Sequence, residues 1–183
     1  MVRILCISGS LRAGSLNTAL LRAAIQAKVE GLELELATLH GIPLYDGDLE
    51  QAEGLPAAVA ALGERIVACD GLLLGTPEYN NGIPGVFKNA VDWLSRPLAN
   101  PDALFRGRPV ALIGASPGGF GTILAQDAWL PVLRTLGTRF WSQGRMMLSR
   151  AGQAFDDQGQ LIDTRSQAQL ATFLAGFRDF SRN

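Results

Sequence analysis

Five short apolar runs punctuate the chain, and each gives way to a loop of small and polar residues and then to helical periodicity. The runs are VRILCIS (2–8), LELELATL (32–39), GLLLGT (71–76), PVALIGAS (109–116) and RMMLS (145–149). Strands that return through a helix each time must pair parallel, because the crossover is too long for a hairpin, and such crossovers are right-handed. A parallel sheet is covered on both faces, which explains why the third and fourth runs carry no polar alternation. LELELATL does alternate, so it belongs at an outer position.

Between the runs, LNTALLRAAIQAKVE (16–30) sets Leu16, Leu20, Ala23 and Ala27 on one face. Proline opens helical stretches at Pro56 and Pro84, where its missing N–H costs nothing. A fourth helix is expected over 121–137, kinked at Pro131, and a last one over 164–180; residues 40–54 read as a loop. With 183 residues the chain suits one domain spanning 1–183 around a single core. Its α/β pattern fits two doubly wound strand orders, a Rossmann half or 2-1-3-4-5. In both, ligands bind beyond the carboxyl ends of the strands, where loops 8–16, 76–84 and 115–121 emerge.

Composition narrows the ligand. A net charge of −1 provides no basic face for nucleic acid, so none is expected as partner. No run approaches the roughly 20 apolar residues of a membrane span, and the N-terminal run is too short for a signal-peptide core, so the cytoplasm is expected. The lone histidine, His40, cannot assemble a multi-histidine metal site, and Cys6 and Cys69 lack redox or zinc spacing and read as buried, inert thiols. A small molecule remains.

The loop GSLRAGS (9–15) enters a helix N-terminus, where unpaired N–H groups and the helix dipole favour an anion. Ser10, Ser15 and Thr18 add hydroxyls, Asn17 an amide, and Arg12 a planar cation, an inventory that suits a terminal phosphate monoester. The competing reading is that Ser15 or Asn17 merely caps the helix. Ser15 stands where a P-loop needs lysine, and the spacing fails G-x-G-x-x-G, which argues against a nucleoside triphosphate or a dinucleotide pyrophosphate here.

In the second loop Pro77 and Pro84 stiffen the ends, NNG admits positive backbone angles, and Tyr79 offers a flat apolar ring with a polar tip. The third contains GASPG (114–118), which matches the G-x-S-x-G nucleophile elbow of hydrolases. Against hydrolysis, Pro117 has no N–H for an oxyanion hole, and the only histidine precedes Ser116 in the chain.

Together GSLRAGSLNTALL, GTPEYNNGIPGVFKNAVDWLSRP and ASPGGFGT closely resemble the NADPH-dependent FMN reductase family, in particular its quinone and chromate reductase branch. The resemblance implies a flavodoxin-like five-stranded sheet of order 2-1-3-4-5 with helices on both faces. It implies FMN as cofactor, its phosphate on Ser10, Arg12, Ser15, Asn17 and Thr18, in a loop that carries Ala13 where many relatives have lysine. Pro77, Glu78, Tyr79 and Asn80 would line the isoalloxazine ring, with Ser116, Gly118 and Gly119 on its other side. Glu78 is expected to position rather than to act as a base, since flavin carries the chemistry. NADPH or NADH would reduce the cofactor and then leave, and a quinone, free flavin, azo compound or chromate would enter the same cleft. A flavodoxin-type carrier is the alternative, disfavoured by the absence of strong acidity. The family further implies a homodimer or homotetramer using region 81–96, with Phe87 and Trp93 as contacts.

Overall fold

The structure is a computed structural model that describes residues 1–96 and 99–182. Its strands are β1 (Val2–Ser8), β2 (Leu32–Ala37), β3 (Gly71–Gly75), β4 (Pro109–Ala115), β5 (Arg139–Phe140) and β6 (Met146–Leu148). They form one parallel sheet in the order β2-β1-β3-β4-β5, with β6 also on β4. Register places Ile4 between Leu34 and Gly71, and Leu72 beside Val110. The doubly wound order 2-1-3-4-5 is therefore present, and β2 is an edge strand with Glu33 and Glu35 exposed.

Helices α1 (Leu16–Gln26) and α7 (Thr164–Ser181) cover one face, while α3 (Ala57–Val67), α4 (Gly85–Leu94), α5 (Pro101–Phe105) and α6 (Ile123–Thr135) cover the other. The pleat decides which side chain meets which layer. Val2, Ile4 and Cys6 of β1 pack with Leu20, Ala24, Leu174 and Phe177, whereas Leu5 and Ile7 pack with Ile66, Val91 and Trp129. Each such large apolar side chain taken out of water contributes about 1.5–3 kcal/mol, which is what fixes the sheet between its helices.

Several expectations need correction. The fifth sheet position is shared by two fragments, β5 against the first half of β4 and β6 against the second. Segment 40–54 is not all loop: Asp46 caps a short helix, α2 (Gly47–Glu53), whose first turn is acidic and so complements the helix dipole. Phe87 and Trp93 are not surface contacts, being 1% and 0% exposed. Phe87 packs edge-to-face on Trp129 at 4.9 Å, and Trp93 does so on Tyr45 at 5.0 Å while its indole N–H donates to the Pro43 carbonyl. Cys6 is buried as expected but Cys69 is only half-buried; burial raises the pKa of both thiols.

Helix α1 ends at Gln26, before residue 30, because Lys28 adopts a left-handed φ of 46°. Helix α6 runs through Pro131, which leaves the Asp127 carbonyl without its helical donor.

Candidate functional site

The carboxyl ends of β1, β3 and β4 lie side by side, so the three loops that leave them share one end of the sheet. Backbone pairing continues past the strands: Gly9 N donates to Gly75 O and Thr76 N to Ile113 O, each at 2.9 Å. Gly9 must be glycine for another reason. A Cβ there would lie 2.3 Å from Cδ1 of the Phe87 ring and 3.0 Å from Pro77 Cδ, so the first and second loops touch through a position with no room for a side chain.

In the first loop Ser10, Ser15, Asn17 and Thr18 are buried and Arg12 is exposed. Ser15 caps α1, its hydroxyl oxygen accepting from Thr18 N at 3.2 Å. Ser10 Oγ accepts from Arg12 N at 3.3 Å. Both serines therefore keep a hydroxyl proton to donate. The backbone N–H groups of Leu11, Ala13, Gly14, Leu16 and Asn17 have no partner among the described residues. Arg12 reaches across the loop, Nη2 donating to Gly14 O at 3.1 Å. This is a set of unspent donors next to a guanidinium, the chemistry an anion requires.

Thr18 and Asn17 have additional structural partners. Thr18 Oγ1 shares a 2.7 Å hydrogen bond with Ser8 Oγ at the end of β1. Asn17 Nδ2 donates to Ala115 O at 2.9 Å, and Asn17 Oδ1 accepts from Ala115 N at 2.8 Å. Asn17 thus extends the ladder of β4 and ties the first loop to the third. His40 braces the first loop from outside, Nε2 lying 3.1 Å from Leu11 O.

The second loop leaves Thr76, whose hydroxyl donates to Pro77 O and accepts from the Trp129 indole N–H. Tyr79 and Gly82 pair through their backbones, and the intervening Asn80 and Asn81 have φ of 50° and 62°, as a tight hairpin turn requires. Tyr79 is 47% exposed, its ring presented to solvent. Glu78 points elsewhere: Oε2 accepts from Leu124 N at 2.9 Å and Ala125 N at 3.0 Å. It supplies the cap that Thr122, the residue before α6, does not. Glu78 therefore fastens the second loop to the helix that follows the third.

In the third loop Ser116 N donates to Leu148 O, and Ser116 O accepts from Ala151 N. The Ser116 amide is thus already used, and Ser116 is not among the residues with positive φ, so it lacks the strained geometry of a nucleophile elbow. His40 is engaged at Leu11 O, in the first loop rather than beside Ser116. Pro117, Gly118 and Gly119 are exposed. Gly114 has Thr122 Oγ1 where a Cβ would sit, so the strand end packs directly on the α6 entrance.

Unspent donors at the first helix entrance, an exposed Tyr79 and the glycines of the third loop, all at the carboxyl ends of a 2-1-3-4-5 sheet, place the chain among flavodoxin-like α/β proteins. The family model for NADPH-dependent FMN reductase matches residues 2–153, and the chain belongs to that family. It is 46% identical over 166 residues to an NAD(P)H-dependent FMN reductase of Pseudomonas aeruginosa, covering 91% of this chain and 88% of the relative. It is 35% identical over 181 residues to a quinone reductase of Escherichia coli, covering 98% and 95%. The structure of the flavoenzyme NAD(P)H:(acceptor) oxidoreductase FerB of Paracoccus denitrificans superposes with a TM-score of 0.87 at 32% identity, covering 100% of this chain and 98% of that one.

Sequence reasoning named Asn17 and Glu78 as ligand residues, but not the bonds by which they lock the loops together. Ser8 and Thr76 were missed, since a hydroxyl at the end of a strand has no distinguishing spacing. The pairing of Asn17 with Ala115 spans 98 positions, and no local pattern reports it.

Proposed function

We propose that the chain is an NAD(P)H-dependent FMN reductase whose acceptors are quinones, free flavin or related compounds such as azo dyes and chromate. Five unpaired amides with two serine hydroxyls at the start of α1, in a chain of this family, are the observation that carries the reading. That donor set fits the FMN phosphate, about −1.5 to −2 in charge near neutral pH. Ser10, Ser15 and the loop amides would bond its oxygens, and Arg12 would neutralise charge once released from Gly14. Thr18 and Asn17 would contribute chiefly by holding the cradle in shape.

Pro77, Glu78, Tyr79 and Asn80 on one side and Ser116, Gly118 and Gly119 on the other would hold the flavin ring. FMN, when bound, would supply the two-electron chemistry between NADPH or NADH and the acceptor. The chain's part is orientation, and the loop-to-loop bonds described above keep those walls at fixed separation. Glu78, engaged by two amides, is a fastener rather than a base.

Two further readings belong to the same proposal. Residues 1–183 act as one domain in the cytoplasm, supported by a single sheet with α7 returning onto its first face and by two free thiols. The chain forms a homodimer or homotetramer. Supporting that, Ile123, Leu124 and Leu130 lie exposed along α6, whereas Phe87 and Trp93 are occupied in the core. Among the described residues no helix is long and apolar enough to cross a membrane.

The test is titration of the purified protein with FMN, followed by flavin absorbance and fluorescence, and then NADPH oxidation with a benzoquinone. Saturable flavin binding and quinone-dependent loss of NADPH absorbance are expected. Flavin binding without NADPH oxidation would make the protein a carrier, and no flavin binding would end the reading.

A further inference from the structure

The third loop continues past Gly118 and Gly119, assigned above to the flavin ring, into Phe120 and toward Arg150, which that assignment does not use. Arg150 N donates to Gly118 O at 2.8 Å, and a Cβ on Gly121 would sit 2.9 Å from Met147 Cβ, so the loop is held at 118 and at 121. Only Gly119 and Phe120 project between those anchors. Phe120 is 82% exposed, a large apolar ring held up in water on a short, fixed base. The amides of Gly118, Gly119 and Phe120 have no hydrogen-bond partner among the described residues.

Arg150 itself has a φ of 50°, a left-handed conformation that a residue with a side chain adopts at a cost and that clusters at functional sites. It follows β6, so it stands at the same carboxyl end of the sheet as the other ligand loops. Its side chain is exposed and has no hydrogen-bond or ion-pair partner among the described residues. An unpaired guanidinium, the free amide of Phe120 and its projecting aromatic ring thus occur together at the rim.

We infer that Phe120, with its backbone amide, and Arg150 form the subsite for the adenosine-phosphate half of the nicotinamide dinucleotide donor. This rests on the reductase reading above and assigns the part of the donor that lies away from the hydride. The chemistry is complementary: adenine stacks on an aromatic face, and a phosphate takes a bidentate guanidinium with backbone N–H groups. A small quinone carries neither a phosphate nor a second ring system and would gain little from the rim.

The experiment compares wild type, Phe120→Ala, Arg150→Ala and Arg150→Lys. Each is titrated calorimetrically with 2′,5′-ADP, and turnover is measured with NADPH, with NADH and with 1-benzyl-1,4-dihydronicotinamide, a donor that lacks the adenosine half. Phe120→Ala and Arg150→Ala are expected to weaken 2′,5′-ADP binding and to raise the KM for NADPH by about fivefold or more, with kcat within about twofold. Arg150→Lys should recover part of the loss. The KM for the truncated donor and the affinity for FMN should stay at wild-type values.

A larger loss with NADPH than with NADH places the 2′-phosphate on Arg150, and an equal loss places the pyrophosphate there; both support the subsite. Unchanged 2′,5′-ADP affinity in both alanine variants overturns it. So does a change of oligomeric state in Phe120→Ala with 2′,5′-ADP affinity intact, which would give the ring to a second copy of the chain. A wild type that oxidises no donor would instead refute the reductase reading, and the 2′,5′-ADP titration would still decide the subsite.

Discussion

Replacing Asn17 separates a structural tie from a ligand contact. The side chain is 5% exposed and completes both the N–H and the C=O of Ala115, at 2.8 and 2.9 Å. Asn17→Ala leaves both groups of that buried residue without a partner. Each stranded group costs about 1–3 kcal/mol, and water entering from the adjoining loop recovers part, so the net loss is about 2–4 kcal/mol. With a urea slope of about 2–3 kcal/mol/M for a chain of this size, the unfolding midpoint should fall by about 0.7–2 M. Asn17→Asp has nearly the same shape but substitutes an acceptor for the donor facing Ala115 O, so it should do no better than alanine. Equilibrium urea unfolding of the flavin-free protein, followed by tryptophan fluorescence, measures both. If Asn17→Asp unfolds like wild type, or if Asn17→Ala moves the midpoint by less than about 0.3 M while FMN affinity collapses, the residue is a phosphate ligand and the tie has been misjudged.

Other expectations are simpler to test. Arg12→Ala should weaken FMN binding by about 1.5 kcal/mol, roughly tenfold, with the unfolding midpoint unchanged, because Arg12 is exposed and bonds only within its own loop. Glu78→Ala should lower FMN affinity and increase hydrogen exchange at Leu124 and Ala125, whereas Glu78→Gln, which keeps an acceptor oxygen, should retain most of both. Gly9→Ala should destabilise the fold by about 1–3 kcal/mol through overpacking against Phe87, seen as a lowered Tm. Asp163 caps α7, and hydrogen bonds first from the Ser166 hydroxyl and then from its backbone N–H hold the carboxyl pKa below its ordinary value. Its stabilisation is therefore complete above the ordinary carboxylate pKa and is lost as pH falls through the lowered one. Asp163→Asn should flatten the acid limb of a stability-against-pH curve.

The strand order and the ligand end of the sheet were legible because they follow from backbone economy: apolar runs, crossover helices, and glycine where chains approach. Helix α2 was not, since GDLEQAE has no apolar stripe, and the Tyr45 amide near its start is held from outside by Asn89 Oδ1 at 2.8 Å. Strand β5, two residues long, shows no period at all. Phe87 and Trp93 were misplaced because an aromatic at helical spacing looks the same whether it faces the sheet or a partner. Here the missing side chain at Gly9 leaves room for Phe87, and the Pro43 carbonyl claims the Trp93 indole. The seryl and amide donors of the first loop were readable as residue types, but which of them stay unspent depends on partners such as Ser8 and Ala115 that only folding brings near.

The two margins of the sheet bear on how copies of this chain can meet. On one side β2 presents Glu33 and Glu35, the latter ion-paired to Arg65 at 2.6 Å; on the other, the last position is broken into pieces of two and three residues. A margin studded with carboxylates and another too short to template a ladder both discourage strand addition, the usual route from a flat sheet to fibrils. Contacts between copies, where they form, are thereby left to the helical surfaces, and no continuous ribbon runs across the loops at the ligand end.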